Sequence, residues 1–224
     1  MIIDYNEKKI FLFVAFAVCL HISAQYNDTW KEYSFGDYCS LSIPNTLELR
    51  DAASETGKFM DKNVHRLTFK FGAEAANKQI VFQPVGMNSG APELFHAANE
   101  KYARVIVGLL SSGGITSSDI DNASASDIEK LNAGFYESYA ADVKMMGQSL
   151  EQFQWYPLKR QKYSGKNALV LHFKRPGLKG AVDVAEYRFF MRGQQLRIVI
   201  SYRESVKSIY ATDFARIMST IKFK

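Results

Sequence analysis

The residues that most often do chemistry are few in this chain, and they are widely spaced. His65, His96 and His172 lie far apart, and no His-Glu-x-x-His occurs. A zinc site needs ligands clustered at short spacing, so none is expected. Gly86-Met-Asn-Ser89-Gly90 misplaces its serine by one position for a nucleophile elbow. Gly113-Gly114 lacks the further glycines and the preceding strand of a dinucleotide or phosphate loop. Asp119-Ile-Asp121 opens like a calcium loop, but Lys130 stands where the twelfth-position glutamate belongs. No cofactor is implied.

Two constellations remain. His172 shares a strand face with Ala168, Val170 and Lys174, opposite Leu169, Leu171 and Phe173. A half-buried histidine beside a basic edge is the bland reading. The sharper one pairs His172 with Glu186 in a hydrolase-like or small-ligand site assembled from distant residues. Glu186 also has a structural reading, pairing across strands with Arg197 or Arg203.

The second constellation is charge. Residues 155–224 carry 15 Lys and Arg against 4 Asp and Glu, whereas residues 1–154 carry 13 against 19. The net charge of +5 therefore hides an acidic front and a basic back. From Trp155 to Gly180 there is no acid at all. Lys159, Arg160, Lys162, His172, Lys174, Arg175, Arg188 and Arg197 form the expected binding surface. Its expected partner is an acidic protein face, an anionic lipid or a polysaccharide. Interleaved Trp155, Tyr156, Tyr163 and Phe173 also fit nucleic acid, but export argues against that partner. The plain alternative is that Lys and Arg only solubilise polar faces and block edge pairing.

Export is read from the N-terminus. Lys8 and Lys9 precede an apolar run from Ile10 to Leu20, and Ser23, Ala24 and Gln25 follow. That is the layout of a secretory signal cut between Ala24 and Gln25, though Asp4 and Glu7 dilute its basic flank. Val18 before Cys19 is too large for a lipobox, so lipidation is not expected. The remaining thiol, Cys39, alternates with Leu41 and Ile43 and is expected to point into the core. Residues 25–224 then read as one globular domain. Two cysteines exclude a disulfide scaffold, and 30 aromatics exclude a disordered chain. No apolar run reaches the roughly 18 residues of a membrane span.

These residues need elements to position them. Tyr33 to Arg50 reads as short strands broken at Pro44-Asn45, and 63–71 and 79–85 as further strands. Pro92 is expected to start a helix with the stripe Phe95, Ala98, Tyr102, Val105 and Leu109. Residues 111–126 read as a Gly/Ser-rich loop. Ser126-Asp-Ile-Glu129 predicts the capping box of a second helix, whose apolar face is Leu131, Phe135, Tyr139, Val143 and Met146. Strands at 154–163 and 168–174 flank Ser164-Gly165, and strands at 184–191 and 196–202 flank Arg192-Gly193-Gln194-Gln195. A closing helix over 209–218 turns Phe214 and Ile217 inward, and an extended tail follows.

Three of these segments resemble the PsbP-like fold family, which includes the photosystem II extrinsic protein, the Ran-binding Mog protein and bacterial DcrB-like envelope proteins. The first is Tyr38-Cys39-Ser40-Leu41-Ser42-Ile43-Pro44, similar to the family's opening strand. The second is the hairpin from Glu186 to Tyr202, and the third the ending from Phe214 to Phe223. The resemblance implies an α+β fold, an α/β/α sandwich with a mostly antiparallel central sheet flanked by helices. It transfers no catalytic residue, because the fold hosts unrelated functions. It favours a non-enzymatic binding or accessory protein of a bacterial envelope, periplasmic or extracellular. An immunity-type inhibitor is a further reading that the sequence does not separate from it.

Overall fold

The computed structural model describes residues 30–50 and 79–224. The expected signal segment, Cys19, His65 and the strand expected at 63–71 lie outside them.

Two antiparallel sheets carry the fold. The small one has the order β1 (Trp30–Phe35), β2 (Cys39–Pro44) and β10 (Lys222–Phe223), with β2 in the middle. The large one runs β3 (Leu47–Leu49), β4 (Gln79–Pro84), β5 (Ala103–Ser111), β9 (Gln194–Arg203), β8 (Val182–Met191), β7 (Lys166–Arg175) and β6 (Gln154–Tyr163). Four helices complete the described residues: α1 (Pro92–Glu100), α2 (Ser117–Asn122), α3 (Ala125–Met145) and α4 (Lys207–Ser219). The expected α+β class therefore holds, with helices on both faces of an antiparallel sheet.

Period-two alternation builds the layers. Val105, Val107, Ala168, Phe189, Leu196 and Ile198 face the small sheet and α4, where they meet Cys39, Leu41, Ile43, Phe214 and Ile217. Leu169, Leu171, Phe173, Val184, Phe190 and Val199 face the other way, onto Ile120 of α2 and Tyr139 of α3. Cys39 is fully buried, as expected.

The hairpins form where the sequence places them. Ser164 and Gly165 have φ of 42° and 86°, and Arg192 and Gly193 have 51° and 71°. Both pairs are two-residue turns in the left-handed region, which matches the twist of the flanking strands. At Gly165 and Gly193 glycine bears this conformation without a Cβ clash.

Four expectations need correction. The long stripe beginning at Phe95 is not one helix. α1 ends at Glu100, and Ala103–Ser111 is a central strand paired along its full length with β9. The run Val105-Ile106-Val107 is β-branched and packs on both faces of the sheet, which outweighs a chance 3–4 spacing. The loop at 111–126 contains α2, whose N-cap Thr116 exchanges hydrogen bonds with Asp119. The capping box of α3 is Ser124 with Asp127, two residues before the expected one. Met146 is exposed at the C-cap and does not join the apolar face.

Candidate binding surface

The eight expected surface residues do not form one surface. The edge strand β6 presents Lys159 and Lys162 to solvent. Arg160 is exposed along its stem, but its Nη1 donates to the carbonyls of Ile120, Asp121 and Ala123 at 2.9, 3.0 and 3.0 Å. These carbonyls lie at the C-terminal end of α2, where a helix has acceptors without intrahelical donors. Arg160 thus pins α2 to the sheet. Lys174 pairs with Glu204 at 3.0 Å.

Arg188 and Arg197 are drawn inward. Arg188 is 6% exposed and Glu186 is fully buried beneath α3. Glu186 Oε1 lies 2.6 Å from Arg188 Nε, and its Oε2 lies 2.6 Å from Arg197 Nη2. The hydroxyl of Tyr139 donates to the same Oε2 at 2.7 Å and accepts from Arg188 Nη2 at 3.2 Å. Arg188 also lies 4.4 Å from the ring centroid of Phe135. Burial opposes a charge on Glu186, but Arg188 and Arg197 outweigh it and hold the carboxyl down to about 2. Burial and the Glu186 charge push Tyr139 up to about 12. The expected pairing of Glu186 with Arg197 is present. Arg203 instead donates to the Glu100 carbonyl at 2.9 Å.

His172 lies on the other face of the sheet. Leu171, not His172, stands across from Glu186 in the β7–β8 ladder. Facing residues share a face, so His172 and Glu186 cannot meet. The assembled hydrolase-like site built on that pair is overturned. The His172 ring stacks on Tyr156, with centroids 4.2 Å apart and planes 8° from parallel. Its Nε2 lies 2.9 Å from Asp183 Oδ1. Burial works against a charged Asp183, but its contacts with His172 and Glu204 bring the carboxyl below the usual range. Among the described residues no three His, Cys, Asp or Glu side chains gather as metal ligands.

A third grouping escaped the sequence reading. Tyr102, Arg175 and Arg203 occupy one row across the strand ends, and Arg104 stands opposite Ser201 two rows along. The Arg104 and Arg203 guanidiniums lie 5.0 and 5.8 Å from the Tyr102 ring centroid. Burial opposes ionisation of Tyr102, yet Arg175, Arg104 and a hydrogen bond with Ser201 bring it below the ordinary tyrosine value. Shared strand parity was the available signal, but the register needed to read it was not in the sequence.

Searches against known protein families and against curated proteins match nothing. Solved structures do match. The solution structure of cyanobacterial PsbP (CyanoP) from Synechocystis sp. PCC 6803 is 14% identical, with 88% of this chain and 93% of that chain covered and a TM-score of 0.52. LpqN of Mycobacterium tuberculosis, described as involved in cell envelope biogenesis, is 12% identical over 87% of this chain and 90% of its own, with a TM-score of 0.42. PA94 of Pseudomonas aeruginosa, a protein of unknown function described as a putative regulator, is 11% identical over 85% of this chain and 94% of its own, with a TM-score of 0.38. The fold is PsbP-like.

Proposed function

We propose that the chain is an exported, non-catalytic accessory protein of a bacterial envelope, and that its edge strand β6 meets an anionic partner. The observation that carries this reading is the pair Lys159 and Lys162, exposed on the outermost strand of the large sheet. The acid-free run from Trp155 to Gly180 supports it, because no carboxylate within that run competes for a partner's charge. The signal-like layout of residues 1–24 supports export. Among the described residues no helix is long and apolar enough to cross a membrane, so any membrane contact by them would be peripheral or through strands. The PsbP-like fold agrees with an accessory role without specifying one.

Co-sedimentation with phosphatidylglycerol vesicles across a salt series tests the anionic part. Binding should weaken as salt screens the lysines, and Lys159→Glu with Lys162→Glu should abolish it while the circular dichroism stays unchanged. Binding that ignores both salt and the double variant would sink it. The N-terminal residue of the secreted product tests export; a product starting at Gln25 is expected.

A further inference from the structure

A second feature points to a ligand, independently of β6. A half-open cleft of about 140 Å³ lies between the β1–β2 turn and the large sheet. Its walls are Phe35, Tyr38, Ile80, Val107, Leu109 and Leu196, with the backbone of Gly36 and Gly108. The ladder explains the convergence. Ile80 stands opposite Val107, and Leu109 opposite Leu196, all on the face turned to the small sheet. Among the described residues the small sheet closes over this face only as far as Phe35, where the chain turns at Gly36. A cavity of about 150 Å³ is enough to take one benzene ring, so this cleft has room for the end of an alkyl chain or a single ring.

The turn beside the cleft carries cations. Arg192 Nη1 donates to the Asp37 carbonyl at 3.0 Å and its Nη2 to the Lys224 carbonyl at 3.3 Å, and Lys224 Nζ donates to the Gly36 carbonyl at 2.7 Å. The Arg192 guanidinium lies 5.8 Å from the Tyr38 ring centroid. Both cations therefore sit on the turn that forms one wall of the cleft, and both residues are exposed. Asp37, on the same turn, is exposed. Lys222 and Glu32 answer each other at 2.8 Å. Arg192 and Lys224 thus outnumber Asp37 on this turn.

We propose that this cleft binds a free, single-chain anionic amphiphile of the fatty-acid type, with its tail between Leu109, Val107 and Ile80 and its carboxylate on Arg192 and Lys224. An apolar slot with a cationic rim selects a carboxylate that carries an alkyl tail over a neutral alcohol of the same length. Neither group lies on β6, so the site does not depend on the lysines proposed above.

Titration calorimetry with monomeric octanoate tests the site. Saturable one-to-one binding is expected, strengthening about four-fold per methylene from hexanoate to octanoate as apolar area is buried. Octan-1-ol should bind more weakly. Arg192→Asn with Lys224→Gln should weaken octanoate about five-fold and leave octanol unchanged. Asn is chosen because Arg192 has a φ of 51°, which Asn tolerates. Leu109→Phe fills the cleft and should abolish binding of both. Ile80→Trp, at a position 38% exposed, blocks the mouth if Leu109→Phe does not fold. Lys159→Glu with Lys162→Glu should change nothing here, which separates this result from the vesicle experiment. Absent or non-saturable octanoate binding overturns the proposal. So does binding that survives both cleft variants, equal response of octanoate and octanol to the rim variant, or binding to lipid vesicles alone.

Discussion

Arg188 and Arg197 stand directly opposite each other in the β8–β9 ladder, a like-charge pair that the carboxylate of Glu186 reconciles. Facing like charges destabilise a sheet, and these two are largely buried. One carboxylate with an oxygen for each guanidinium makes the arrangement stable. Glu186→Gln is therefore expected to cost about 3–5 kcal/mol, read as a lowered denaturation midpoint. Replacing all three residues together, Glu186→Leu with Arg188→Met and Arg197→Met, should recover most of that loss, because the cost comes from unpaired buried charge.

The same carboxyl sets an acid limit. Its folded value of about 2 lies below the ordinary 4.5, so the stability it contributes is present above about pH 4.5 and is lost as pH falls toward 2. The difference corresponds to about 3 kcal/mol. Urea titrations between pH 5 and 2 should show stability falling more steeply in the native chain than in the Glu186→Gln variant.

Asn132 joins α3 to the bulged part of β6. Its Oδ1 accepts from Trp155 Nε1 at 2.9 Å and from the Leu158 amide at 2.8 Å. The ladder slips between Tyr156 and Lys159, so the Leu158 amide takes this side chain as its acceptor. Asn132→Ala leaves two donors without a protein acceptor and should cost about 1–3 kcal/mol. Trp155 packs parallel to Phe173 with centroids 5.7 Å apart, so its emission should report the change by shifting to longer wavelength.

Burial pushes the Cys39 thiol up to about 12. In the folded protein this residue should resist alkylation at pH 8, and it should label at the rate of unfolding once denaturant is added. Mass spectrometry of the Cys39 peptide separates it from Cys19. Labelling of Cys39 in the native state at the rate of a free thiol would contradict its place between β1 and β10.

Local rules read the back half well. The two-residue turns between β6 and β7 and between β8 and β9 each carry a glycine at their second position, so these hairpins follow from short-range signals. β5 reads as part of a helix because its residues are buried on both faces, which removes alternation and leaves a spacing that also suits a helix. The charges were harder. Arg160, Arg188 and Arg197 look alike in sequence to Lys159 and Lys162, yet three are consumed by carbonyls or by Glu186 and two face solvent. That distinction depends on which strand is an edge and which lies beneath α3, and both are long-range facts. The cleft was invisible for the same reason, since its walls come from β4, β5, β9 and the β1–β2 turn.

The small sheet has a consequence in time. β2 is held on one side by β1, which directly precedes it, and on the other by β10 at the far end of the chain, where Lys222 meets Ser40 and Phe223 meets Cys39. Forming that last pair requires closing a loop that spans nearly the whole domain, which slows folding in proportion to how non-local the contacts are. The core around Cys39 and Ile221 therefore closes only after residues 222–223 have been made and have come back to β2.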